Sequence, residues 1–373
     1  DHRQIDDGAL IMDFSLGDDR RMMADSLSRY FADTLGWEAR QAAAESEAGF
    51  SRDMWAGLAE LGVLGMLFGE EAGGYGGSAF DAGAVFAEVG KALATGPFLA
   101  TLLAGNILEA AGEADLLGEV IAGSKILTFA DDPAMDANGV VTDPLKAVKE
   151  GDAWRLTGAK GVVDYLGSAD LIVVTAETSD GWASFLVEAD AKGVKRRAYP
   201  LVDGGAAGEL TLDGASARLL VSGEDAISKA RALGLVATVW EAVAIMEVLR
   251  DATIEYLGTR KQFGVPIGAF QALKHRMTSV ALEIEQARSA AINAAAYFAK
   301  DPRTRDRYGS AAKYTAGKVG ALTAEEAIQM HGGIGMSWEM PLSHFAKRLV
   351  MLDHVLGDED AHMARYLKLA SAA

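Results

Sequence analysis

Arg260-Lys261-Gln262-Phe263-Gly264-Val265-Pro266-Ile267-Gly268-Ala269-Phe270-Gln271 separates two long helical patterns. Residues 226–259 before it and 270–300 after it are alanine-rich, with apolar residues at helical spacing. Pro266 cannot continue a helix, so the segment is a break with a purpose of its own. An arginine and a glutamine at a helix end, beside an aromatic ring, suit a ligand with a pyrophosphate and a flat ring. The guanidinium offers bidentate, charge-assisted bonds to phosphate, and the ring offers a stacking face. The competing reading is a capped helix with a solvated cation.

Working outward, Gln329-Met330-His331-Gly332-Gly333-Ile334-Gly335, continuing through Glu339 and Pro341, closes a third helical pattern over 310–330. Glycines there let the backbone approach a ligand closely and take positive φ, or simply cap the helix. A fourth pattern covers 342–368. Four long periodic segments predict a C-terminal four-helix bundle, residues 223–373. Upstream, residues 123–222 change texture. Short segments at 126–130, 154–163, 171–176, 183–187 and 209–212 are β-branched and alternating, and predict a small β-barrel or sandwich. Residues 12–122 read as helical. Ser51 is a candidate N-cap, and Pro97 precedes a helix over 98–111. The expected fold is therefore α+β and multidomain: helical block, β block, helical bundle. Met12 is a plausible native start, with the preceding residues an addition.

Composition narrows the function. The chain has 373 residues, enough for several cores, and no cysteine, which excludes disulfides, iron–sulfur clusters and thiol catalysis. That fits a cytoplasmic protein. A formal charge of −18 argues against nucleic acid or an anionic membrane as the main partner. No run reads as a membrane helix or a signal peptide. The histidines show no metal-ligand spacing, so no metal is expected. Gly74-Tyr75-Gly76-Gly77-Ser78 is a loose dinucleotide-loop pattern, but it follows no strand and no acid lies about 20 residues on. Lys195-Arg196-Arg197 is either a phosphate contact or a solvated strand edge.

Taken together, the two glycine-bearing stretches resemble the cofactor signature of the acyl-CoA dehydrogenase family. The resemblance implies FAD as cofactor, acyl-CoA as substrate and α,β-desaturation as reaction. It further implies that Arg260, Gln262, Phe263, Ile267, Phe270, Gln271, Gln329, Gly332 and Gly333 contact FAD, mainly its ADP half, across a subunit interface. A dimer or tetramer with itself or a homologous subunit, and an electron-transferring flavoprotein as acceptor, are the family expectations.

The chain departs from the family at the chemistry. The usual glutamate base falls on Leu356, followed by Gly357-Asp358. An alternative base position, at the start of the first bundle helix, falls on Gly234 without gaps or on Ala230 if a nearby arginine is aligned with Arg231. The flavin-ring segments read Thr128-Phe129-Ala130-Asp131-Asp132-Pro133-Ala134 and Lys160-Gly161-Val162-Val163-Asp164. Val162 and Asp164 stand where the family stacks on tryptophan and bonds through threonine. The catalytic base is thus unassigned; Asp353, Asp358 and Glu241 are the carboxylates to consider. This pattern resembles the subunits of heteromeric members that lack the usual glutamate. The alternatives are a self-sufficient enzyme with an atypical base and a flavin-free scaffold or regulatory binding protein.

Overall fold

The computed structural model describes residues 17–136, 138–151 and 153–371, so the expected start at Met12 lies outside the described residues. Six helices come first: α1 (Asp18–Thr34), α2 (Trp37–Glu45), α3 (Arg52–Glu60), α4 (Ala79–Ala92), α5 (Phe98–Ala110) and α6 (Ala114–Ile121). Local chemistry sets several boundaries. Ser51 accepts a hydrogen bond from the Met54 amide at 3.1 Å and so caps α3. Ser78 and Asp81 form a reciprocal capping box on α4. The glycine-rich stretch before α4 folds back on the preceding turn. A Cβ at Gly74 or Gly76 would meet the Phe68 or Met66 carbonyl oxygen at 2.2 Å, so these glycines serve close backbone packing. Helices α2 and α6 lie within the stretch expected to be helical but were not singled out in the sequence.

Seven strands follow: β1 (Leu127–Ala130), β2 (Lys146–Glu150), β3 (Ala153–Asp164), β4 (Leu171–Thr178), β5 (Gly181–Glu188), β6 (Val194–Pro200) and β7 (Ala206–Ser222). Strand β4 pairs with β5, β5 with β7, β7 with β3, β3 with β2, and β2 returns to β4. The cycle is a closed five-stranded barrel, with β1 added beside β4 and β6 beside β7. Leu156, Ile172, Val174, Phe185, Leu210 and Leu212 fill its interior. Sequence patterning located only four residues of β7, which runs for 17. The polar and glycine-bearing interruptions at Gly208, Asp213 and Gly214 sit within that strand rather than ending it.

The C-terminal block comprises α7 (Asp225–Thr259), α8 (Gln271–Ala296), α9 (Pro302–His331), α10 (Pro341–His354) and α11 (Glu359–Ser371). A two-residue hairpin pairs β8 (Lys261–Gln262) with β9 (Val265–Pro266) between α7 and α8. The segment expected as one helix over 342–368 is two. Leu356 and Gly357 take φ of 60° and 100°, which ends α10. Asp358 Oδ1 then accepts the Ala361 amide at 2.9 Å and starts α11. Helix α7 also corrects an expectation. By length and composition it could cross a membrane, yet 83% of its most apolar window is buried inside the fold. It is the core helix of both helical blocks. A Cβ at Gly83 on α4 would meet the Trp240 ring at 2.7 Å, and one at Gly90 the Glu241 carbonyl oxygen at 2.6 Å, so the glycines allow α4 to lie close against α7.

Candidate active site

The two glycine-bearing stretches meet at one end of the bundle. Leu257, Met277 and Met330 form a small core there, with Ile267 and Leu273 packed against it. Tyr256 on α7 stacks on His331 at the end of α9, with centroids 4.3 Å apart. Ile267 is half-buried in this core, whereas Arg260, Gln262, Gln271, Gln329, Gly332 and Gly333 are exposed. Arg260 is the C-cap of α7. Phe263 and Gly264 form the hairpin tip with φ of 51° and 82°, the signs of a type I′ turn. An L-residue with that φ is strained by roughly 1–2 kcal/mol. The strain falls on a side chain that is 92% exposed, its ring centroid 6.3 Å from that of Phe270.

This end suits a group brought from outside the chain. Gly333 has no positive φ, and a Cβ there would meet nothing within 4 Å; the same space is open above Gly264 and Gly332. Nothing inside the fold requires glycine at 333. His331 is buried and gives its Nδ1 to the Ala327 carbonyl at 2.8 Å, leaving Nε2 without a partner. Burial lowers its pKa, so the ring is held neutral. Open glycines, a presented aromatic ring and an arginine fit the ADP arm of a dinucleotide.

The other half does not fit a flavin ring. Val162 lies 54% exposed on β3, at an irregularity in its pairing with β7. Gly161 beside it lets the Pro133 carbonyl come within 2.6 Å of where a Cβ would stand, which packs the 131–134 corner against the strand. That corner carries Asp131 and Asp132. Arg231 makes a two-pronged ion pair with Asp131, with Nη2 2.7 Å from Oδ1. Lys160 is buried and donates to the Asp131 carbonyl and to Thr175, both at 2.9 Å. Desolvation pulls its pKa down to about 8. Among the described residues, the carboxylate of Asp164, half-buried at the end of β3, makes no hydrogen bond or close ion pair, and burial, only partly offset by Arg348, pushes its pKa up to about 6. Carboxylates placed here would repel the anion formed when a flavin is reduced.

Leu356 and Gly234, the two positions where the resemblance would set a base, face each other. A Cβ on Gly234 would lie 2.9 Å from Leu356 Cδ1 and 2.7 Å from Leu103 Cδ2. Leucine occupies the place, and the ungapped registration on Gly234, rather than Ala230, is the one that touches it. The turn carrying Leu356 is clamped from beneath. Buried Lys313 donates to the Asp353 and Gly357 carbonyls at 2.6 and 2.8 Å, and His362 Nε2 lies 3.0 Å from the Leu356 carbonyl.

Of the carboxylates considered as bases, Asp358 and Glu241 are engaged by other groups, and Asp353 is set against Gly317. Asp358 caps α11. Asp353 lies over Gly317, and its Oδ1 is buried 3.9 Å from Lys313. Glu241 is gripped by Arg348 through two bonds, at 2.6 and 3.1 Å, and Arg348 also reaches Asp203 at 3.0 Å. Arg40 on α2 is buried, donating to the Leu93 and Asp203 carbonyls at 3.0 and 2.6 Å. This network, joining all three blocks, was not read from the sequence. One signal was available: Arg348 sits among Phe345, Leu349 and Leu352, on the apolar side of α10. In the basic run, Arg196 donates to the Leu166 and Ala169 carbonyls at 3.1 Å, and Arg197 pairs with Glu209. Two of its three cations are thus used within the barrel.

Comparison with known proteins agrees with this layout. The family models described as acyl-CoA dehydrogenase, N-terminal domain, and acyl-CoA dehydrogenase, C-terminal domain, match residues 17–121 and 222–368. Acyl-CoA dehydrogenase FadE27 of Mycobacterium tuberculosis is 30% identical over 86% of this chain and 88% of its own length. Acyl-CoA dehydrogenase IpdE2 of Mycolicibacterium smegmatis is 28% identical over 94% and 98%. Among solved structures, a chain of the ChsE4-ChsE5 complex from Mycobacterium tuberculosis superposes with a TM-score of 0.90 at 28% identity, covering 97% of this chain and all (100%) of that one. A chain of the Tcur3481-Tcur3483 steroid ACAD does so with 0.88 at 28% identity, covering 96% and 99%. The chain belongs to the acyl-CoA dehydrogenase family, whose members are FAD-dependent oxidoreductases.

Proposed function

We propose that this chain is the non-catalytic subunit of a heteromeric acyl-CoA dehydrogenase. It would present Arg260, Gln262, Phe263, Ile267, Phe270, Gln271, Gln329, Gly332 and Gly333 to the ADP arm of an FAD shared with a homologous subunit. The partner would provide the flavin-ring pocket and the base. FAD, when bound, supplies the acceptor for the β-hydride of an acyl-CoA thioester. The observation that carries this reading is Leu356 packed at the Gly234 position, since neither of these two residues can take a proton. The structural neighbours that are themselves two-component complexes support it, and one of them is described as a steroid ACAD. A bulky acyl chain, such as a steroid side chain, is the substrate class this suggests. An electron-transferring flavoprotein as acceptor and a cytoplasmic setting belong to the same proposal.

The test is flavin absorbance of the purified chain, alone and co-expressed with a homologous subunit that has an intact base. The expected result is a colourless chain alone, and a yellow, active complex. Stoichiometric FAD and turnover in the chain alone would overturn the proposal.

A further inference from the structure

The space behind Leu356 has the wrong polarity for an anionic thioester. A cavity of about 180 Å³ opens there, with apolar walls from Leu103 on α5, Phe129 on β1, and Met351 and Leu356 beside α10. Its polar lining is Asp131, Asp132, Asp164, Asp203, His354 and Arg348. The pairings leave an excess of negative charge. Arg231 is taken up by Asp131, and Arg348 by Glu241 and Asp203. Among the described residues, the Asp132 and Asp164 carboxylates make no hydrogen bond or close ion pair; Asp132 feels Arg231 and Lys160, and Asp164 feels Arg348, only at longer range.

The cavity continues inward. Asp164, Asp203, Leu99, Leu201 and Arg348 also line a smaller chamber of about 40 Å³, together with Arg40 and Glu241. Thr95 lines that inner chamber, is only 5% exposed, and its hydroxyl has no hydrogen-bond partner. A buried hydroxyl with no protein partner is costly, so a polar group bound beside Thr95 would be favoured. Carboxylates neighbour that hydroxyl, so a ligand there must bring donors. It must also bring an apolar body for the outer walls.

We propose that this cavity binds a primary alkylammonium ion. The ammonium sits at Asp164, where the two chambers meet, and the alkyl chain lies against Leu103, Phe129 and Met351. Its N–H donors find acceptors in Asp164 and the Thr95 hydroxyl, which line the same inner chamber, while Asp132 in the outer cavity adds negative charge. Apolar burial contributes to affinity and the carboxylates set the sign of charge. This inference concerns a cavity within one chain and does not depend on the shared-FAD reading, which has its own spectroscopic test.

Hexylammonium chloride is the probe, added to the purified chain at constant ionic strength, with binding followed by calorimetry and thermal shift. Saturable binding is expected, weakened tenfold or more by Asp164→Asn, which removes a charge-assisted hydrogen bond; tenfold corresponds to about 1.4 kcal/mol. Asp132→Asn, at the exposed mouth, should weaken it less and serves as the second variant if Asp164→Asn does not fold. Hexanol should bind far more weakly. No saturable binding, an equal response to hexanol, or unchanged affinity in both variants would overturn the proposal.

Discussion

Replacing Arg348 by methionine should be among the most damaging single changes in this protein, and the structure gives the magnitude. The guanidinium makes three bonds of 2.6–3.1 Å to Glu241 and Asp203. Those carboxylate side chains are only 4% and 1% exposed, while Arg348 itself is 25% exposed. Methionine keeps the aliphatic stem but leaves two buried carboxylates without their cation. Stranding a buried charge in this way typically costs about 3–5 kcal/mol. The lower end applies here, because Arg348 is partly solvated and because Asp203 Oδ1 still accepts the Gly205 amide at 3.1 Å. We expect a loss of about 3 kcal/mol in urea unfolding. The reasoning makes a second, sharper claim. If the cost is uncompensated charge rather than lost packing, adding Glu241→Gln and Asp203→Asn to Arg348→Met should recover most of it, to within about 1–2 kcal/mol of wild type. A loss below about 1 kcal/mol for Arg348→Met, or no recovery in the combined variant, would refute the argument. It would also reopen Glu241 as a group held for chemistry rather than for the fold.

Two further outcomes follow from local geometry. Phe263→Asn should leave the isolated chain within about 0.5 kcal/mol of wild type, since relief of roughly 1–2 kcal/mol of left-handed strain offsets a ring contact of about 0.5–1.5 kcal/mol. The same variant should lower flavin retention in the co-expressed complex; a clearly destabilised chain with unchanged flavin content would contradict this. Asp164→Asn should change the pH profile of stability. Burial raises the folded-state pKa from 3.8 to about 6, in a setting shared with Asp132, Asp203, Glu241 and Arg348. The folded chain therefore binds the proton more tightly than the unfolded chain, and wild-type stability falls as pH rises through this window. The asparagine variant should gain up to about 3 kcal/mol above pH 6, at about 1.4 kcal/mol per unit, with the gain vanishing toward the acidic end. Denaturant titrations across the window, showing parallel curves for the two proteins, would exclude it.

What the sequence determined by itself was whatever depends on near neighbours along the chain. Helical spacing marked α7, α8 and α9, because the 3.6-residue period is written locally. Ser51 announced a helix start, because a cap needs only the next three residues. The two glycine-bearing stretches were legible as a pair, since each is a short uninterrupted motif. The full length of β7 was not, because that strand is held by pairing with β3, β5 and β6, and pairing overrides the local turn signals at Gly208 and Gly214.

Only the tertiary structure decided what the departures mean. Leu356 and Gly234 were each visible as residues that cannot act as a base, but their contact depends on how α10 ends over α7. Arg348 meets Glu241 from 107 residues away and Asp203 from 145. Burial and pairing are properties of the folded whole. A carboxylate such as Glu241 reads as a candidate base in the sequence and becomes a structural anion only when an arginine from a distant helix is set against it.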